Sequence, residues 1–125
     1  MRQVRVENVT RRVRVADRVG VADTFFLRLR GLLGRPALVP GEGLLITPCQ
    51  AVHMLGMKYA IDVAFLDREG RVVAVSPELQ PGSRSGWHRK ARHALELPAG
   101  VLRETGTTVG DALEILPADD ESTGS

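Results

Sequence analysis

Valines spaced by two, with arginines between them, set the first constraint on this chain. Val4 and Val6 flank Arg5, and Val13 and Val15 flank Arg14. Successive side chains of a strand point to opposite faces, so this pattern predicts half-buried strands with one apolar and one wet face. Asn8 and Thr10 mark a turn between the two.

Asp23 opens a different period. Phe25, Leu29, Leu32 and Leu33 fall at helical spacing while Arg28 and Arg30 face away. This predicts a helix with Asp23 as N-cap, its end at Gly31 or Gly34 and Pro36 beyond it. Strands return at Leu44–Ile46 and at Ile61–Leu66, which is apolar on both faces apart from Asp62. Asp67-Arg68-Glu69-Gly70 reads as a turn into a partner strand from Val72 to Val75. His93, Leu95 and Leu97 alternate with Arg92 and Glu96, which places those two on a wet face. One or two helical turns follow within Pro98–Thr105, stopped by Gly106, and Ala112–Leu116 is a last strand. Residues 77–90 carry no periodicity, and an aperiodic loop of that length is often functional.

Strands outnumber helices and tight turns join neighbours. The predicted fold is mainly β: a single compact antiparallel sandwich or partly closed barrel with two short helices. With 125 residues, 43% of them apolar, the chain can fill one core. The domain spans residues 1–116, and the acidic tail from residue 117 to 125 is expected to be disordered. No apolar run is long enough to span a bilayer. The start of the chain lacks the apolar stretch of a secretory leader. The single cysteine, Cys49, agrees with a reducing, cytoplasmic setting. A formal charge of +2 argues against nucleic acid as a partner, although arginines crowd the first eighteen residues.

Several motifs, in this order, resemble the domain of unknown function 192 family. Arg30-Gly31-Leu32-Leu33-Gly34-Arg35 is similar to its arginine-glycine-leucine-methionine segment, and Gly43-Leu44-Leu45-Ile46 to its glycine-methionine-leucine-phenylalanine strand. His53-Met54 followed by Ile61-Asp62-Val63-Ala64-Phe65-Leu66-Asp67 resembles its central signature. Leu95-Glu96-Leu97-Pro98-Ala99-Gly100 and Val109-Gly110-Asp111 resemble its closing segments. The resemblance runs from Val13 to Leu116 and implies a jelly-roll-like β fold; it implies no reaction, substrate or cofactor. Two departures stand out: His53-Met54-Leu55-Gly56 replaces the common tryptophan-methionine-lysine-asparagine, and Ala60 stands where proline is frequent.

Three sets of residues carry candidate chemistry. Cys49, His53, Met54 and Met57 form a soft-donor set suited to Cu(I) or zinc, and a cysteine near a histidine is the pair that a thiol nucleophile requires. In an extended segment, however, four residues span about 13 Å, so a bulge or turn near Pro48 or Gly56 is needed to unite them. The simpler reading makes Cys49 and the methionines core residues, with no metal and no cofactor. Asp62 either accepts hydrogen bonds from the backbone or Lys58 and fixes a loop, or is a general base with a raised pKa. Arg84, Trp87, His88, Arg89, Lys90, Arg92 and His93 form a basic cluster around the only tryptophan. It is either a solvated loop anchored by a partly buried Trp87 or a ligand-binding patch formed by Trp87, Arg89, Lys90 and Arg92.

Two functions follow from these sets. One is a non-enzymatic binding domain that uses the Pro77–Lys90 loop to contact an anionic or carbohydrate-like ligand or a protein partner. The other is a small enzyme or soft-metal site centred on Cys49, His53 and Asp62. The lack of a complete catalytic set favours the binding domain.

Overall fold

The computed structural model describes residues 1–119. Its elements are β1 (Gln3–Asn8), β2 (Val13–Ala22), α1 (Phe25–Arg30), β3 (Glu42–Ile46), β4 (Ile61–Leu66), β5 (Val72–Leu79), β6 (His93–Pro98), α2 (Val101–Thr105) and β7 (Leu113–Pro117). The seven strands form one curled sheet in the order β5-β4-β6-β3-β2-β1-β7. Every pairing is antiparallel except that of β2 with β3. That one parallel pair corrects the purely antiparallel expectation. Residues 23–41, which contain α1, cross over between the two strands and return the chain in the same direction.

The sheet is a partly closed barrel because its two outer strands approach each other at one end. Arg71, just before β5, and Ala112, just before β7, form an isolated bridge. Around it the Leu113 amide donates to the Gly70 carbonyl and the Val72 amide to that of Asp111, both at 2.9 Å. Gly70 is required here: its φ is +88°, and a Cβ would collide with the Leu113 carbonyl. Asp67 holds the same turn, its Oδ1 accepting from the amides of Glu69 at 3.0 Å and Arg71 at 2.9 Å.

Two apolar layers cover the two faces of this sheet. The inner layer gathers Val4, Val6, Val19, Leu66, Leu95 and Leu97, with Leu102 of α2 packed into it. The outer layer holds Leu44, Ile46, Met54, Val63, Phe65 and Ala94 beneath α1 and the connecting segments. Burying each of the Val, Leu, Ile, Phe and Met side chains among these contributes about 1.5–3 kcal/mol. The outer layer changes the reading of β6. Glu96, expected on a wet face, lies on the face that this layer covers and is buried.

Helix α1 also departs from the expected form. Its cap is Thr24, whose Oγ1 accepts from the Leu27 amide at 3.2 Å, and Asp23 precedes it. Six residues make under two turns, so the apolar stripe cannot continue to Leu33; Gly31, at φ +51°, ends the helix. No residue of α1 is buried. Phe25 is 63% and Leu29 66% exposed, and of the four stripe residues only Leu32 enters the core.

The long loop begins at Gln80 and not at Pro77, because β5 extends to Leu79. β5 is an edge strand, where proline's missing amide costs no ladder bond. At the far end of the chain Pro117 closes β7, and Asp119 pairs with Arg14 at 2.9 Å and Arg5 at 3.3 Å. Residues 120–125, the rest of the expected disordered tail, lie outside the described residues.

Candidate functional site

Asp62 is buried, 1% exposed, on β4. Its Oδ1 accepts from the Glu78 amide at 2.8 Å; its Oδ2 accepts from the Gly100 amide at 3.1 Å and the Leu102 amide at 2.9 Å. Helix α2 has no side-chain cap of its own, so Asp62 caps it from across the sheet and pins the irregular end of β5 as well. Backbone amides, and not Lys58, supply these bonds. The carboxylate is a fixing group, and it does not line the cleft described next.

The segment between β3 and β4 is not a strand. It leaves β3 through a cis Thr47–Pro48 peptide and is fastened to the long loop. The Met54 amide donates to the Ser83 carbonyl at 2.8 Å, the Val52 amide to Ser85 Oγ at 2.9 Å, and His53 forms an isolated bridge with Arg84. The irregular path brings Cys49, His53, Met54 and Met57 to one cavity of about 310 Å³, which an extended chain could not do. Phe25 and Leu29 of α1, and Leu33 just beyond it, form one side.

The chemistry within this cleft is uneven. Met54 is packed into the outer layer, whereas His53 is exposed at the rim. The Cys49 thiol donates to the Ala51 carbonyl at 3.2 Å, and burial is the main cause that pushes its pKa up. A thiol so raised is a poor source of thiolate. Among the described residues no three His, Cys, Asp or Glu side chains gather as ligands for a metal ion.

Glu96 is the residue that sequence reasoning missed. It lines the same cleft, is 4% exposed, and its Oε1 has no hydrogen-bond partner among the described residues. Burial pushes its pKa up to about 7. Arg28 lines the cleft from α1, and its Nε is also buried without a partner. Period-2 alternation gave Glu96 a wet face. The signal available in the sequence was the apolar run Val63–Leu66 of β4, which implied a sheet covered on both sides.

The basic cluster splits. Arg84 bridges to His53, and His93 Nδ1 lies 2.8 Å from Thr47 Oγ1. The His88 ring packs on Phe65 with centroids 4.4 Å apart. The anchor of the loop is therefore His88. Trp87, expected to be partly buried, is 73% exposed. It shares a groove of about 490 Å³ with Arg68, Arg89, Lys90 and Arg92. Arg68 comes from the β4–β5 turn and was absent from the sequence-derived patch.

The family model DUF192 (uncharacterized ACR) matches residues 5–115. The chain belongs to the DUF192 family. Relatives include a UPF0127 protein of Thermococcus sibiricus, 36% identical over 104 residues, covering 78% of this chain; the match spans 65% of that relative's length. A UPF0127 protein of Pyrococcus furiosus is 34% identical over 113 residues, covering 86% of this chain and 94% of the relative. Two solved structures share the DUF192 fold. A protein of unknown function from Novosphingobium aromaticivorans superposes with TM-score 0.77 at 22% identity, over 90% of this chain and 83% of the other. A candidate transcription regulator from Sinorhizobium meliloti gives TM-score 0.76 at 24% identity, over 91% and 92%. At these identities the likeness concerns the fold alone. Among the described residues no helix is long and apolar enough to cross a membrane.

Proposed function

We propose that this DUF192 chain is a binding domain whose ligand occupies the Glu96 cleft: a small, mainly apolar molecule with a hydrogen-bonding group. The buried Glu96 oxygen without a partner carries the reading. A buried polar atom left unpaired costs about 1–3 kcal/mol, and a ligand donor or acceptor that meets it recovers that cost on binding. The cavity volume, about 310 Å³, is at the lower end of ligand pockets. Phe25, Leu29, Leu33 and Leu55 leave apolar surface exposed around the mouth, which an apolar ligand would cover. The raised Cys49 thiol supports binding over nucleophilic catalysis. A lone free cysteine suits the reducing cytoplasm.

Thermal unfolding in the presence of n-hexanol to n-decanol tests this. We expect the melting temperature of wild type to rise with alkanol concentration. Ala51→Leu, which puts three more carbons into the cleft, should abolish the rise, and Glu96→Leu should weaken it about tenfold. No rise in wild type with any chain length, or an equal rise in all three proteins, would overturn the proposal.

A further inference from the structure

We infer that the ligand is an amphipathic anion, an apolar body ending in a phosphate or carboxylate, whose body fills the Glu96 cleft and whose anionic group lies beside Trp87. The inference rests on the binding reading above and adds the second half of the ligand.

Pro48 and Cys49 line both the apolar cleft and the Trp87 groove, so the two cavities adjoin across the same short wall. Their chemistry differs sharply. The cleft is mainly apolar, with Glu96 buried in it and Arg28, Arg30 and His53 as its other ionisable lining residues besides Cys49. The groove brings Arg68, Arg89, Lys90 and Arg92 together with no acidic residue in its lining. Among the described residues none of these four cations takes part in an ion pair. Elsewhere Arg5, Arg11 and Arg14 are each paired with a carboxylate. Four like charges held around one indole repel each other, and an anion placed among them relieves that repulsion. Guanidinium groups also suit phosphate and carboxylate oxygens through paired N–H donors.

The groove is preformed. Gln50 Nε2 donates to the Arg89 carbonyl at 2.7 Å, the His88 amide to the Gln50 carbonyl at 2.9 Å, and the Cys49 amide to the Arg92 carbonyl at 3.0 Å. These bonds fasten the basic loop to the wall of the cleft, so little ordering is required when a ligand bridges the two.

Trp87 is the only tryptophan in the chain, and its emission reports occupancy of the groove directly. The probes are n-decyl phosphate below its critical micelle concentration, n-decanol and inorganic phosphate, with fluorescence and thermal unfolding as paired readouts. Decyl phosphate should shift Trp87 emission and bind at least tenfold more tightly than either fragment. Arg89→Ala/Lys90→Ala should reduce decyl phosphate affinity about tenfold or more while leaving stabilisation by decanol unchanged; both side chains are exposed, so folding is retained. Ala51→Leu should reduce decyl phosphate to the affinity of inorganic phosphate. Decyl phosphate binding no tighter than decanol, or an unaffected double variant, would overturn the amphipathic ligand and leave the apolar cleft standing. Failure of every alkanol from n-hexanol to n-decanol to stabilise wild type would overturn the cleft itself.

Discussion

Glu96 and Val63 face each other across the β6–β4 ladder. β4 is covered on both sides, so the residue opposite Val63 has no wet face to occupy, and a carboxyl enters an apolar layer. A polar group in that position costs stability unless something meets it, which makes Glu96 the informative residue of this DUF192 domain.

The first prediction concerns pH. Glu96 moves from 4.5 to about 7 on folding. Between those values the unfolded chain has released a proton that the native state retains, so stability falls as pH rises and levels off above the folded value. At about 1.4 kcal/mol per pH unit the wild type loses about 3 kcal/mol across the window. Glu96→Gln should remove that slope. Burial holds the His93 pKa below its ordinary value, which gives the opposite slope at mildly acid pH. His93 is present in both proteins, so the difference between them isolates Glu96. Urea midpoints at pH 5, 6, 7 and 8 supply the measurement; parallel curves would refute the assignment.

The second concerns Asp62. Its removal leaves three amides without an acceptor, the buried one of Leu102 and the part-buried ones of Glu78 and Gly100. The buried amide alone costs about 1–3 kcal/mol, so Asp62→Ala should lose at least about 1 kcal/mol in chemical denaturation. Alkanol binding by the part that remains folded should persist. Unchanged stability with lost binding would instead restore Asp62 as a site residue.

How much of this was legible follows from where each signal resides. The valine alternation of β1 and β2, the apolar run of β4 and the Asp67–Gly70 turn are local patterns, and each element formed where its residues said. Cys49 and His53 were legible as residue types, but their meeting depends on hydrogen bonds from Val52 and Met54 to Ser85 and Ser83 about thirty residues away. No periodicity encodes such contacts. Glu96 was misplaced because alternation reports two faces without saying whether both are covered. Trp87 and His88 were exchanged for a similar reason: neighbours in a loop take opposite sides, and size alone favoured the indole as the anchor.

The third prediction separates an exposed residue of α1 from the core residue just beyond the helix. Phe26 is 78% and Leu32 4% exposed. Phe26→Ser should change stability by less than about 0.5 kcal/mol, as surface substitutions do. Leu32→Ala should cost about 2–5 kcal/mol. Equal losses in thermal denaturation would mean that α1 is packed more closely than its exposure indicates.

A fourth follows from Cys49. Burial raises its pKa and keeps the group as a thiol. Iodoacetamide at pH 8 should therefore modify native protein more slowly than urea-unfolded protein, and excess n-decanol should slow it further by filling the cleft. A native rate equal to the unfolded rate would show that the thiol is neither shielded nor raised.

The last prediction sets Trp87 against His88. The indole is 73% exposed, so Trp87→Ala removes little buried apolar area and should leave the melting temperature almost unchanged, within about 0.5 kcal/mol. His88 packs its ring on Phe65, and its amide holds Gln50. His88→Ala opens a void beside Phe65 and should cost about 1–3 kcal/mol. The two variants should also differ in binding. Trp87→Ala keeps the loop in place and leaves the four groove cations where they are, so decyl phosphate, followed by its thermal shift, should lose only the contact with the indole, about 1 kcal/mol for one N–H donor. His88→Ala loosens the segment that carries Arg89 and Lys90, so the same ligand should lose affinity through a disordered groove even though His88 does not line it. A His88 variant that binds as wild type does would show that the groove needs no anchor and that its charges alone recruit the anion.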